Sequence, residues 1–364
     1  MSLVRLLSPA LLIAALLSPS GAEEEAPRLN QVQIIGSHNS YHKAPPPEVL
    51  GIIGKFHEGA VEAWNKTMPT LTSQLDDAGI RQFELDIYPD PEGGIFAKPL
   101  AVSLAKVAGK SLPPFDPTGE WLKPGFKVLH VPGVDCWSNY PTLVSALREM
   151  VAWSEKHADH LPLMILIECK EAKTPGSPPG VGEFTRDTLM DLEKEILSCI
   201  PREKILFPDD VRRGEKSLPE ALKVHGWPTV DATRGKFIFT LDNSGGPIRD
   251  HYLEGNPALE NRLMFASAPD ERHPAAAWFK CNDPVRQFDR IQKLVEGGFM
   301  VRTRADTLAP DSAMRQRAFD SGAQWISTDH FEPGLPEGQR VQFEGGRMVR
   351  SNPLNGTPGT EISP

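Results

Sequence analysis

Leu163-Met164-Ile165-Leu166-Ile167-Glu168-Cys169-Lys170 decides the architecture. Five apolar residues that end abruptly in charged ones describe a strand buried on both faces, as in a parallel sheet, with a polar tip. Outward from it, comparable runs occur at Val32 to Ser37, Ile80 to Tyr88, Lys127 to Val131, Lys236 to Leu241, Arg262 to Ala266, Phe299 to Arg304 and Gln324 to Thr328. That makes eight, the number that closes a (β/α)8 TIM-type barrel. Segments with helical spacing lie between them, including Tyr140 to Lys156 and Gly182 to Ile200. In the first of these, Leu143, Leu147, Met150 and Val151 recur at steps of three and four, and Pro141 suits a first turn. Alternation of strand and helix favours the barrel over an open doubly wound sheet. The chain has no Gly-x-Gly-x-x-Gly fingerprint, which weakens the dinucleotide-binding form of that sheet.

The chain has 364 residues, 40% hydrophobic and 24% charged, the proportions of an ordinary globular protein. No internal repeat or domain linker divides it, so residues 23–332 are expected to form one barrel. Two stretches, Pro89 to Gly125 and Glu171 to Gly182, are rich in Gly and Pro. Each follows a strand, where a barrel carries its functional loops. Residues 333–364 show no periodicity and read as a peripheral tail. The formal charge of -9 excludes a nucleic-acid binder held by a basic face. An anionic substrate would need a metal ion or a few local Arg and Lys.

Arg5, the apolar run Leu11 to Leu17, and then Ser18, Pro19, Ser20, Gly21 and Ala22 have the order of a secretory signal peptide. Cleavage after Ala22 is expected, with export to a secreted or periplasmic destination, and no later run is long enough to span a bilayer. Cys136, Cys169, Cys199 and Cys281 include no CxxC pair, which argues against structural zinc and leaves buried thiols as the plain expectation. The Asn65-Lys66-Thr67 sequon matters only in a host that glycosylates its exports.

The strand runs end in reactive groups. The first runs into Gly36-Ser37-His38-Asn39-Ser40-Tyr41, the second contains Glu84-Leu85-Asp86, the third ends at His130, and the fourth ends in Glu168-Cys169-Lys170. In a parallel barrel these ends meet at one rim. Glu84 and Asp86, two apart, share a strand face. Two carboxylates inside a barrel need positive charge nearby, and Glu84, Asp86, Glu168 and the Asn39 amide oxygen make an oxygen donor set suited to calcium. His38 and His130 suit general acid and base work, whereas His42, His57, His157 and His160 read as solvent-facing. Arg302 and Arg304 alternate on one strand and either bind phosphate or pair with acids such as Asp306 or Asp329.

Taken together, Gly36 to Tyr41, Phe83-Glu84-Leu85-Asp86, Leu129-His130-Val131-Pro132-Gly133, Ile167-Glu168-Cys169-Lys170, Val301 to Asp306 and Ile326-Ser327-Thr328-Asp329 resemble the phosphoinositide-specific phospholipase C superfamily. The likeness is strongest to its exported, calcium-dependent, single-domain branch, with a PLC-like phosphodiesterase barrel. The resemblance implies that His38 and His130 are the catalytic imidazoles, and that Asn39, Glu84, Asp86 and Glu168 hold Ca2+. Metal-independent relatives carry Arg at the position of Asp86, so an acid there implies a metal-using enzyme. Lys170, Arg302 and Arg304 remain candidate phosphate or headgroup contacts.

The implied reaction is attack of the inositol 2-hydroxyl on the phosphodiester, releasing diacylglycerol and a cyclic inositol phosphate. No flanking membrane-targeting module is evident, so transient contact with a membrane surface would fall to the rim. Leu100 to Val107 could supply it or could simply pack on the barrel. No protein partner is implied. Two other readings stay open: a glycerophosphodiester phosphodiesterase acting on soluble deacylated substrates, and an inactive barrel that binds phosphate or sugar.

Overall fold

The structure, a computed structural model, describes residues 26–171, 181 and 183–363. The leader read at residues 1–22 and most of the loop read at Glu171 to Gly182 lie outside the described residues. Ten strands are present among the described residues: β1 (Val32–Ser37), β2 (Gln82–Asp90), β3 (Gly125–Val128), β4 (Leu163–Cys169), β5 (Phe237–Leu241), β6 (Phe265–Ala266), β7 (Trp278–Lys280), β8 (Met300–Arg304), β9 (Trp325–Thr328) and β10 (Val349–Ser351). They form two sheets, ordered β10-β1-β9-β8-β7 and β3-β2-β4-β5-β6.

Eight of these strands form a parallel set in the ring order β1, β2, β4, β5, β6, β7, β8, β9. A parallel bridge, Ser267 to Trp278, joins β6 to β7. At the other junction the Ser40 N–H donates to the Glu84 carbonyl at 3.0 Å, and Gln82 Nε2 donates to the Ser37 carbonyl at 3.2 Å. Gln82 occupies the space beside Gly36, where a Cβ would lie 2.3 Å from Gln82 Oε1. β10 runs antiparallel to the start of β1, and β3 antiparallel to the end of β2. The two extra strands cover the edges that this seam would otherwise leave open.

β4 is the central element its sequence demands. It lies between β2 and β5, and Met164, Ile165, Leu166 and Ile167 are fully buried. Helix Leu143–Lys156 buries Leu143, Ala146, Leu147, Met150 and Trp153 along one stripe. The Thr142 hydroxyl caps it by accepting from the Ser145 N–H at 3.1 Å, so Pro141 precedes the cap and does not sit in the first turn. The next predicted helix is observed as Arg186–Cys199 and is capped by Thr185.

The structure corrects three architectural expectations. The Lys127 to Val131 run is not a barrel strand: its ordered part, β3, runs antiparallel outside the ring. The eighth ring member is instead β7, three residues too short to leave a pattern. The segment beyond Pro333 is more than a peripheral tail, since it supplies β10 and buries Val341, Phe343 and Met348 in the main core. Leu100–Val107 is a helix whose Ala101 and Ala105 pack with Val49, Ile52 and Ile53 of helix Pro47–Ile53, while Leu100, Leu104 and Val107 face outward. All four cysteines are free thiols, with Cys199 half-buried and the others buried. Among the described residues no helix is long and apolar enough to cross a membrane.

Candidate active site and metal centre

Glu84 and Asp86 turn into the ring, buried, while Leu85 between them enters the apolar core. The parallel register places Asp86 opposite Glu168 on β4. One carboxylate oxygen from each of Glu84, Asp86 and Glu168 comes within 4.8 Å of the others. Asn39 follows β1 in the left-handed conformation, φ 46°, a region that Asn tolerates better than most residues. It lines the same cavity as His38 and His130.

Two cations serve these three acids. Arg302 is only 1% exposed. Its Nη2 donates to Glu84 Oε2 at 2.5 Å, its Nε to the Ser327 hydroxyl at 2.9 Å, and its Nη1 to Asn282 Oδ1. Ser327 in turn donates to Gln82 Oε1 at 2.7 Å, which ties the seam to the charged interior. Of its two sequence readings, ion pairing is the one the geometry supports for Arg302. Lys170 Nζ stands 3.1 Å from Asp86 Oδ2 and 3.4 Å from Glu168 Oε2.

The charges do not balance, and Asp86 bears the deficit. Burial pushes the Glu84 carboxyl up, but Arg302 and then His38 outweigh it and hold the group at about 2. Burial also pushes Asp86 up; Lys170 opposes this, Glu168 and Glu84 add to it, and the carboxyl lies well above its usual range. Neither oxygen of Asp86 accepts a directed hydrogen bond. An oxygen-only donor set, two of its acids buried and Glu168 half-buried, with one carboxylate in excess of its cations fits a hard divalent ion such as calcium. At the end of β5, level with Glu168, Lys280 pairs with the fully buried Asp242, whose carboxyl burial pushes up to about 6 despite that partner.

His38 faces this centre, and His130 opens on the same cavity as His38. His38 Nδ1 lies 2.9 Å from Asp329 Oδ1, and its Nε2 lies 3.6 Å from Glu84 Oε1. Arg304 Nη2 donates to the other Asp329 oxygen at 3.1 Å. Burial opposes ionisation of Asp329, but His38 and Arg304 pull its carboxyl down to about 2. His130 Nδ1 lies 2.8 Å from Asp135 Oδ2, and Asp135 is fully buried. His38, Asn39, His130 and Asp329 line one cavity of about 170 Å³, together with His42 and Trp64.

His130 reaches this cavity by a route the sequence does not announce. β3 returns antiparallel along β2, and the Leu129 N–H donates to the Asp86 carbonyl at 3.2 Å. The next residue, His130, is held there by the Tyr88 hydroxyl, which donates to its carbonyl at 3.0 Å. Val131 and Asp135 then exchange backbone hydrogen bonds at 2.9 Å across Pro132-Gly133, which folds Asp135 back under His130. The Pro-Gly pair is the one sequence signal for that turn. The sequence offers no signal for Asp135, Asp242 or Lys280, and it presents Asp329 as an acid partner for Arg302 or Arg304 and as the end of the Ile326 to Asp329 motif, not as a partner for His38. Two histidines expected at the surface are buried: His42 bonds Asp135, and His160 bonds the Ser154 hydroxyl at 2.8 Å. His57 and His157 are exposed as expected.

The family model described as phosphoinositide phospholipase C, Ca2+-dependent, matches residues 27–353. The chain belongs to that family. Two solved structures share its fold. The calcium-dependent phosphoinositol-specific phospholipase C from a Pseudomonas species aligns with a TM-score of 0.56 at 15% identity, covering 89% of this chain and 95% of that one. The Ca2+-dependent phosphatidylinositol-specific phospholipase C from Streptomyces antibioticus aligns with a TM-score of 0.55 at 16% identity, covering 90% and 99%. No match was found among curated proteins. This phospholipase C is therefore a Ca2+-dependent phosphodiesterase of the phosphoinositide class, on the barrel scaffold expected from its strand runs.

Proposed function

We propose that the protein cleaves phosphatidylinositol-type lipids to diacylglycerol and an inositol phosphate, with His38 and His130 moving the protons. The observation that carries this reading is the pairing of two imidazoles, each with Nδ1 on a buried carboxylate, at one cavity beside three convergent acids. A carboxylate on Nδ1 fixes the ring and holds a proton there, which leaves Nε2 to exchange protons with substrate. One ring accepts a proton from the attacking hydroxyl, and the other donates to the leaving oxygen.

Asn39, Glu84, Asp86 and Glu168 are the residues that would hold Ca2+. When bound, the ion lowers the pKa of a coordinated hydroxyl and stabilises charge on phosphoryl oxygens. Arg304, partly exposed and shared with Asp329, is suited to orient the phosphate. Lys170 stands at the edge of the acid cluster, where it can meet the headgroup. Arg302 braces Glu84 from below.

The outward residues of helix Leu100–Val107 support contact with an anionic lipid surface. Val107 is 88% exposed, and Lys98, Lys106 and Lys110 are exposed beside it with no acid between Gly93 and Phe115. The Arg5 to Ala22 pattern supports export. The test is a product assay on phosphatidylinositol vesicles and glycerophosphoinositol side by side, with calcium and with chelator. Calcium-dependent release of diacylglycerol is expected. Turnover of the soluble diester alone, or of neither, would replace this reading with the soluble diesterase or the inert binder.

A further inference from the structure

The two proposed catalytic imidazoles are built alike, with one difference. Asp329 faces His38 and also holds Arg304; Asp135 faces His130 and also holds His42. Arg304 carries a permanent charge. His42 can match it only as an imidazolium, and its surroundings ask for that state. Its Nδ1 lies 2.7 Å from the Lys66 carbonyl oxygen, and its Nε2 lies 3.1 and 3.0 Å from the two oxygens of Asp135. Both neighbours are acceptors, whereas a neutral imidazole has a single N–H. His42 is 5% exposed, so solvent does not offer its ring an alternative partner on either side.

The other charged groups nearby do not replace this one. Lys66 directs its ammonium to Glu332 at 3.5 Å. Glu62 and Asp329 line the cavity, and the His130 ring stands edge-on to His42 at 6.0 Å between centroids. Trp64 packs on His130 at 6.1 Å and carries no charge. Without His42, the fully buried Asp135 would face His130 alone, and an unopposed carboxylate in contact strongly favours a protonated ring. A ring locked in one protonation state is a poor proton carrier.

We propose that His42 is a positioning residue for His130: bearing a proton on each ring nitrogen, it anchors Asp135 and offsets its charge, so that Asp135 orients His130 without trapping a proton on it. This rests on reading His130 as catalytic. The pairing recruits a titratable side chain for a task that the other half of the site gives to arginine.

Long-range 1H–15N correlation spectra of the full chain with 15N-labelled histidine test the protonation directly and need no substrate. Two N–H groups on His42 at neutral pH are expected; a single one overturns the proposal, even if every His42 variant fails to fold. In the calcium-loaded enzyme, His42→Phe is expected to lower kcat about 100-fold and His42→Gln, which keeps one donor for Asp135, about 10-fold. KM and calcium affinity should stay near wild type, and the limb of the kcat profile that His130 sets should move to higher pH, the acid limb if it is the base and the alkaline limb if it is the acid. An unmoved profile, or parallel losses in KM and calcium affinity, would reduce His42 to a packing residue and overturn the proposal. Absence of turnover by the wild-type protein would instead defeat the phospholipase assignment, while the spectra still decide the charge on His42.

Discussion

Replacing Asp86 with Asn tests the metal centre most sharply, because it removes a charge and little else. The amide keeps an oxygen in place and matches the carboxylate in size, so packing around this fully buried position is preserved. In the metal-free protein the change should cost no stability. Burial, Glu168 and Glu84 already disfavour the charged form, and Lys170 retains Glu168 at 3.4 Å. For a dication the loss is large. A carboxylate at ~4 Å from a double charge contributes about 8 kcal/mol at an effective dielectric of ~20. Desolvation, already felt by Asp86, cancels most of that and leaves roughly 3 kcal/mol. Roughly 3 kcal/mol corresponds to a Kd about 100-fold weaker. Titration calorimetry reads the affinity, and the rise in melting temperature on adding calcium gives an independent check. An unchanged Kd in a variant that melts like wild type without metal would refute the assignment of Asp86 as a ligand.

Four further outcomes are expected. His38→Ala and His130→Ala should each lower kcat by about two to four orders of magnitude while retaining calcium affinity; full turnover in either removes that ring from the chemistry. Arg302→Met leaves Glu84 buried without its main counter-charge and should destabilise the fold by about 3–5 kcal/mol in denaturant titrations. Gly36→Ala places a methyl on the Gln82 side chain, itself held at both ends, and should cost about 1–3 kcal/mol by the same measurement; a neutral result would mean the seam can open.

Glu195 supplies the pH test. Burial raises its carboxyl to about 7, against the Phe126 N–H bonds that favour the charged form. A carboxyl raised on folding adds stability in its protonated form, fully present below its unfolded value of about 4.3 and lost as pH rises through 7. Glu195→Gln should therefore stabilise by about 1 kcal/mol at pH 8, after allowance for screening at this partly exposed site, and by nothing once the pH falls below the unfolded value of about 4.3. Equal effects at both pH values would contradict the shift.

The sequence by itself determined the repeating unit and the first candidate ligands. Unbroken apolar runs such as Leu163 to Ile167 admit only strands covered on both faces, and a two-residue alternation commits Glu84 and Asp86 to one side of β2 whatever packs around them. These are local consequences of backbone geometry, legible in any stretch of about six residues. Strand direction is not local. Nothing within Lys127 to Val131 says that β3 runs antiparallel, yet that reversal delivers His130 to the mouth and folds Asp135 beneath it. Only the tertiary structure decided that Arg302 is consumed by Glu84 while Arg304 stays near the cavity, and that His42 is buried against Asp135. Each of these depends on which of several competing partners comes within hydrogen-bonding distance across as many as 291 positions, as for His38 and Asp329, and a pairing energy that falls steeply with distance leaves no trace in the spacing of residues along the chain.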